Sequence, residues 1–289
     1  MEPLIRPITH PQSRDPDGIF PLDGKDLNSI TDEALAAFFT SAPIIHQLDG
    51  TTVVRLSKKL IMKGGGSVLT SEANMLSLLS SRGSIRVPRV HRSFQVKDDT
   101  KYFGTAGYIV MDFVQGQPLD ECWGGLPPTT QVEIATQVAE MIKAMQSIKL
   151  LQSDPIGGGP CRGLFFTDYS AGPFTGTAEI EAWFNHKLDI CKSVNQAPKD
   201  TPPFHLTEFV ITHQDISPRN LILDQHGRVW LIDWGYSGAY PPAFESAALA
   251  TQSSFPDFNT MVLSRIPRYP EQEVQLDSIA YGLTTAALA

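Results

Sequence analysis

His213-Gln214-Asp215-Ile216-Ser217-Pro218-Arg219-Asn220, followed by Leu231-Ile232-Asp233-Trp234-Gly235, is the stretch from which the rest of this 289-residue chain can be read. Asp215 and Asn220 lie on a loop that leads into a β-rich run, Leu221 to Leu223. A turn at His226-Gly227 joins that run to a second one, Val229 to Ile232, and Asp233 follows it directly. One hairpin can therefore bring two carboxylates and one carboxamide around a single point. Hard oxygen ligands of this kind suit Mg²⁺, which keeps several waters and completes its shell with substrate phosphates. A carboxylate that is not a metal ligand can take the proton of an attacking hydroxyl. His213 suits a brace of the loop through hydrogen bonds better than a proton carrier.

Upstream of this block the pattern is a small antiparallel sheet with one long helix. Thr31 caps a short helix that buries Leu35, Phe38 and Phe39. Ile44 to Leu48, Val53 to Leu56 and Leu60 to Lys63 read as a three-stranded meander, with turns at Asp49-Gly50 and Ser57-Lys58. Gly64-Gly65-Gly66 is not followed by Lys-Ser/Thr as a phosphate-binding P-loop requires, so it reads as a flexible connection. A helix beginning near Ser71 carries Met75, Leu78 and Leu79 inward, and Val87-Pro88 ends the pattern. Ser93 to Val96 pairs with Tyr108 to Phe113 as a hairpin.

From Val114 the character is mainly helical. Thr130 and Glu133 have capping-box spacing after Pro127-Pro128, and Val132, Ala135, Ala139, Ile142 and Met145 recur on one helical face. Asp154 to Gly176 reads as a long ordered loop, Ile180 to Val194 as a helix, and Ala197 to Phe204 as a Pro-rich connection. A terminal helix is expected from Glu271 to about Ala287. The expected organisation is an arm over 1–30, a first lobe over 31–113 and a second lobe over 114–289.

Composition bounds the function. Apolar residues make up 42% and charged residues 19%, enough for a sizeable core and too ordered a balance for a disordered chain. With 23 basic and 31 acidic residues the net charge is −8, which argues against nucleic-acid or anionic-membrane partners. No apolar run reaches the roughly 20 residues needed to span a bilayer, and Met1 to Phe20 lacks the apolar core of a secretory signal. Cys122, Cys161 and Cys191 are scattered, without a metal or disulfide pattern, which fits a reducing compartment and a cytoplasmic location. The charge is uneven: residues up to Phe113 carry net +1 and those from Val114 onward net −9.

The pattern HxDxxxxN with a following IDW resembles the catalytic core of the aminoglycoside phosphotransferase and choline kinase family, small-molecule relatives of the protein kinases. Thr212 to Leu223, Ile232 to Tyr240, Ile85 to Val90, Gly172 to Phe174 and Tyr108 to Leu119 stand in the family's order, most similar to its fungal branch. The resemblance implies an α+β, two-lobed protein-kinase-like fold: a small antiparallel-sheet N-lobe that binds nucleotide and a mainly helical C-lobe. It implies an ATP-dependent, Mg²⁺-dependent phosphotransferase acting on a hydroxyl of a small molecule. Asp215 matches the catalytic aspartate, and Asn220 and Asp233 match the metal ligands. Lys63 matches the lysine that reaches the phosphates, and Glu72 the glutamate that pairs with it. Met111 would border the adenine, with the backbone of Asp112 and Val114 bonding the base.

Some features depart from protein kinases. No GxGxxG lies between the first two β-runs, Gln214 replaces the arginine that grips a loop phosphate, and no APE follows Asp233, so control by loop phosphorylation is not expected. Two rival readings keep the fold and change the function: a non-catalytic nucleotide-binding protein, or a site turned to different chemistry on a specialised metabolite. For the acceptor, the acidic second part favours a positively charged compound. Phe165, Phe166, Trp183, Trp234, Tyr236 and Tyr240 supply either an aromatic wall for it or plain core packing, with Asp168 and Glu245 as candidate anionic anchors.

Overall fold

A computed structural model describes residues 18–48, 50–151 and 153–289. The chain forms two compact units. Of the described residues, one takes 18–80 together with 88–115, and the other takes 81–87 with 116–289.

The first unit is a five-stranded antiparallel sheet with two helices. Its elements are α1 (Asp32–Phe38), β1 (Ile44–Leu48), β2 (Thr51–Arg55), β3 (Leu60–Gly65), α2 (Thr70–Arg82), β4 (Val90–Lys97) and β5 (Thr105–Asp112). The strand order is β1-β2-β3-β5-β4. Thr31 caps α1 as expected, its Oγ1 accepting from Ala34 N at 3.2 Å. The turn between β2 and β3 closes on Ser57, whose Oγ accepts from Lys59 N and Leu60 N at 3.1 and 3.0 Å. The other expected turn involves Asp49, which lies outside the described residues.

Residues 18–30, within the expected arm, pack onto this unit; residues 1–17 lie outside the described part. Phe20 and Leu22 are buried, and Leu22 N donates to Leu56 O at 2.8 Å. The buried Arg55 fixes the same region: Nε donates to Ser57 O at 2.6 Å and NH2 to Lys58 O at 2.9 Å. Its guanidinium lies over the rings of Phe113 and Phe20, at 3.1 and 5.0 Å from their centroids. Loss of hydration pushes this arginine down to about 10.

The glycine run is not the flexible connection expected from sequence. Gly64 and Gly65 end β3, paired with Tyr108 and Gly107 of β5. At Gly65 φ is +136°, and a Cβ would strike the Gly50 carbonyl oxygen.

The second unit contains β6 (Gly116–Pro118), α3 (Leu119–Cys122), α4 (Pro128–Gln146), β7 (Lys149–Leu150), α5 (Thr177–Ser193) and β8 (Phe209–Thr212). It continues with β9 (Leu221–Asp224), β10 (Val229–Leu231), β11 (Gly238–Tyr240), α6 (Ala243–Thr251), α7 (Pro256–Leu263), α8 (Pro270–Asp277) and α9 (Ala280–Leu283). Two three-stranded sheets, ordered β10-β9-β6 and β11-β8-β7, sit among these helices. The core is aromatic: Phe165, Phe166, Phe184, Tyr240 and Phe244 pack in one buried cluster, with Trp183 against it. Among the described residues no helix is long and apolar enough to cross a membrane.

Three expectations are corrected here. The capping box at Thr130 and Glu133 does not form. Proline at the first helical position starts α4 at Pro128, with Pro127 as a cap that offers no side-chain bond. Val132 consequently faces solvent, while Ile134, Val138 and Met141 join the buried stripe. The terminal helix is broken between α8 and α9, because Gly282 comes in against α5 and its N–H donates to Cys191 Sγ at 3.2 Å. Two helices, α6 and α7, occupy a segment with no such expectation.

Gly65→Ala tests the close approach in β3. Strain at positive φ and the clash with the Gly50 carbonyl should destabilise the protein by about 2–4 kcal/mol. Urea unfolding with a cost below about 1 kcal/mol would show that the strand end relaxes freely.

Candidate active site

The loop after β8 is buried yet irregular, so its backbone needs partners other than a ladder. Glu245, on α6 and fully buried, supplies them. Its Oε2 accepts from His213 N at 2.5 Å and from Gln214 N at 3.4 Å. Gln214 has φ of +65°, which turns the chain so that Asp215 comes out of the core. The Gln214 Nε2 donates to Tyr236 O at 2.8 Å and to Arg162 O at 3.3 Å, tying the loop to two neighbouring segments.

His213 braces the same loop from the other side. Its Nδ1 accepts from Asp215 N at 3.2 Å and its Nε2 lies 3.0 Å from Ile232 O. These partners assign the neutral tautomer with the proton on Nε2. The ring meets Trp234 edge-on at 4.7 Å, and the Trp234 indole donates to Leu231 O at 3.1 Å. His213 is therefore committed to backbone groups, as expected.

Asp215 has a side chain 19% exposed. Asn220 Nδ2 donates to its carboxylate Oδ2 and its backbone oxygen, both at 2.8 Å. Arg219 donates to Oδ1. Burial raises the Asp215 carboxyl above its ordinary range; Arg219 opposes this, Asp233 adds to it, and Asn220 opposes it. Since the Asn220 amino group is spent on Asp215, its Oδ1 is the atom left for a cation. Ile232 N donates to Asn220 O at 3.0 Å, which brings the strand before Asp233 alongside Asn220. Asp233 has φ of +62° and an exposed side chain. One carboxamide oxygen and one carboxylate make too small a set for an all-protein cage, but suit Mg²⁺ shared with phosphates.

The remaining candidates lie in the first unit. Lys63 Nζ and Glu72 Oε1 form an ion pair at 2.7 Å, almost fully enclosed. The helix carrying Glu72 starts at Thr70, directly after the sheet, and still reaches the lysine. Met111 is buried on β5. The Asp112 N–H is taken by Arg89 O at 3.0 Å, which leaves the carbonyl as the backbone group able to meet a base. The Asp112 carboxylate accepts from Arg89 N at 3.1 Å and pairs with His91 at 2.7 Å. Val114 is 9% exposed, and its N–H has no hydrogen-bond partner among the described residues.

The candidate aromatic wall resolves mostly into core. Phe165, Phe166, Trp234 and Tyr240 are buried, Trp183 packs against the core, and Tyr236 alone is 40% exposed. Glu245 is no anchor for an acceptor, because it is fully buried and its Oε2 is spent on the loop backbone. Sequence reasoning also gave Arg219 no role. Only its place four residues after Asp215, on the turn Pro218–Asn220, could have suggested one.

Residues 51–274 match the model of the phosphotransferase enzyme family. The chain belongs to that family. No curated protein sequence matches it. Among solved structures it resembles aminoglycoside 2'-phosphotransferase-IIIa in its GDP complex, at 14% identity and a TM-score of 0.55, covering 86% of each chain. It also resembles the streptomycin–ATP ternary complex of APH(2'')-IIa, at 15% identity and a TM-score of 0.51, again over 86% of each chain. A thermostable mutant of aminoglycoside phosphotransferase APH(4)-Ia matches at 17% identity and a TM-score of 0.54, over 83% of this chain and 84% of that one. These likenesses establish the two-lobed, protein-kinase-like fold. Nothing in them separates the fungal branch from the rest of the family.

Burial pushes the Glu245 carboxyl up from 4.5 to about 7, against the opposing bonds from His213 and Gln214. Below pH 4.5 the acid is protonated in folded and unfolded chains alike, and no charging penalty falls on the native state. Between 4.5 and about 7 only the unfolded chain ionises, so the group's contribution to stability falls as pH rises through that window. Glu245→Gln cannot ionise. The stability of wild type minus variant should therefore drop by roughly 1–3 kcal/mol from about pH 5 to pH 8. Parallel pH profiles in urea unfolding would show that this carboxyl does not titrate there.

Proposed function

We propose that this phosphotransferase moves the γ-phosphoryl group of ATP, held with Mg²⁺, to a hydroxyl of a small-molecule acceptor. The observation that supports it best is the arrangement around Asp215. A mostly enclosed carboxylate is oriented by the Asn220 amide, and that amide keeps its oxygen for a metal ion. In this reading Lys63, fixed by Glu72, holds phosphate oxygens. The Asp112 carbonyl and the Val114 N–H receive the base beside Met111, and Asn220 and Asp233 hold Mg²⁺. When bound, the metal offsets charge on the phosphates. Asp215 orients the acceptor hydroxyl and takes its proton, and its raised affinity for protons suits a base. Such catalysis rests on positioning and on charge fixed in advance, with little covalent work by the protein.

Fold relatives have been solved with ATP and with GDP. For the acceptor, the net −9 of the residues from Val114 onward favours a cation. The Arg219 guanidinium paired with Asp215 favours the opposite. The non-catalytic rival predicts nucleotide binding without turnover, and the repurposed rival predicts turnover without a phosphorylated product.

MgATP or MgGTP should raise the melting temperature, the stabilisation reaching about 2.7 kcal/mol at a hundredfold excess over Kd. Asp215→Ala should lower turnover by about 10²–10⁴-fold with nucleotide affinity nearly unchanged. Asp233→Ala should weaken Mg²⁺-dependent nucleotide binding as well. Wild-type turnover by Asp215→Ala would remove the role assigned to this residue.

A further inference from the structure

We propose that the acceptor carries an oxyanion group, a carboxylate or a phosphate, and that Arg219 is the residue that selects it. This rests on the reading of Asp215 as the residue that faces the acceptor.

Both carboxylate oxygens of Asp215 are engaged without substrate: Oδ2 by Asn220 and Oδ1 by the Arg219 guanidinium. The Arg219 side chain is 54% exposed, against 19% for Asp215. An ion pair with so exposed a member adds little stability, so it exchanges partners at small cost. Arginine carries five N–H donors in a planar fork. The bond to Asp215 is the one hydrogen bond of Arg219 among the described residues. The rest of the fork makes no hydrogen bond among the described residues, and a guanidinium has the planar geometry that meets a carboxylate or phosphate bidentately.

A second arginine belongs to a segment bonded to the same loop. The Arg162 guanidinium carbon sits 5.4 Å from the centroid of the exposed Tyr236 ring. Both residues accept through their backbone oxygens from Gln214, which directly precedes Asp215. Against them stand the carboxylates of Asp215 and Asp233; Glu245 is enclosed and committed to backbone. A cationic acceptor would meet the Arg219 guanidinium beside the very carboxylate it must approach. An anionic acceptor would instead draw that guanidinium onto itself and release Oδ1. The substrate thereby frees its own base. The acceptor hydroxyl then loses its proton to Oδ1 as its oxygen bonds to the γ-phosphorus. The bond from that phosphorus to the β-bridging oxygen breaks, leaving the nucleoside diphosphate.

The test is titration calorimetry on the full chain with Mg²⁺ and a non-hydrolysable ATP analogue present, for wild type, Arg219→Ala and Arg219→Lys. Matched probes are gluconate, glucose 6-phosphate, glucose and glucosamine, and separately glycerate, glycerol 3-phosphate, glycerol and choline. In at least one set an oxyanion should bind wild type tenfold or more above its neutral and cationic counterparts. That advantage should vanish in Arg219→Ala and return only in part in Arg219→Lys, which keeps the charge without the fork. The carboxylate and phosphate arms show which oxyanion is taken. Tighter wild-type binding of glucosamine or choline overturns the proposal, and so does a panel in which no probe distinguishes wild type from Arg219→Ala. Failure of the phosphotransfer reading looks different, because the nucleotide analogue would then bind none of the three proteins.

Discussion

The contact on which the site depends is the bond between the Glu245 carboxylate and the backbone of His213 and Gln214. Both residues are buried, and their chain runs neither as helix nor as strand. A buried N–H without an acceptor costs about 1–3 kcal/mol, so a loop of this kind cannot be placed in a core without a donated acceptor. Helix α6 brings one. The remainder of its buried surface is nearly all apolar or small, from Ala243 and Phe244 to Leu249. The carboxylate is thus enclosed by the same packing that holds the helix in place. Its raised proton affinity follows from that enclosure.

Everything nearer the chemistry is hung from this brace. With His213 fixed, its ring sets Asp215 N and Ile232 O. Asn220 closes on Asp215, and Ile232 N returns to Asn220 O. The loop and the hairpin after it are thus joined by a chain of bonds that mixes backbone and side-chain groups. Two non-glycine residues, Gln214 and Asp233, sit at positive φ within this block. Each such residue costs on the order of 1 kcal/mol and persists where its surroundings over-determine it. Fixed dipoles arranged before substrate arrives are what phosphoryl transfer needs from a protein.

The sequence made the first unit and the hairpin of the second readable, because those segments are written in local terms. Period-two runs with turn residues between them give β1 to β5, β9 and β10. The motif spacing marks Asp215, Asn220 and Asp233 before any contact is known. What stayed hidden depends on contacts distant in the chain. The buried residues of α6 form an almost unbroken apolar run with no polar face to set a period. Glu245 reads as an anionic anchor for the acceptor until the loop that it holds is seen. The break between α8 and α9 has no local breaker strong enough to announce it. It is set where Gly282 meets Cys191, while beyond α9 Lys187 Nζ ties the chain end by donating to the carbonyls of Ala286, Ala287 and Ala289 at 3.3, 3.0 and 2.7 Å. Arg219 was legible as a residue and silent as a function, since an arginine on a turn is ordinary.

Charge shows the same split between what adds up along a chain and what acts at a point. The net −9 of the residues from Val114 onward is a property of a whole surface, and salt screens it beyond about 10 Å at 0.1 M. It steers an approaching molecule and says little about the last few ångströms. There the proposed selector is the partner of Asp215, a guanidinium. Under the proposed role of Arg219, an acidic surface and a guanidinium at the acceptor position set two opposed conditions for a substrate. A small anion meets a long-range barrier that weakens as salt rises and a short-range attraction that salt screens far less. Acceptor affinity governed by Arg219 should therefore survive added salt better than the rate of encounter governed by the surface. The sum of charges and the contact at Asp215 describe different stages of one binding event.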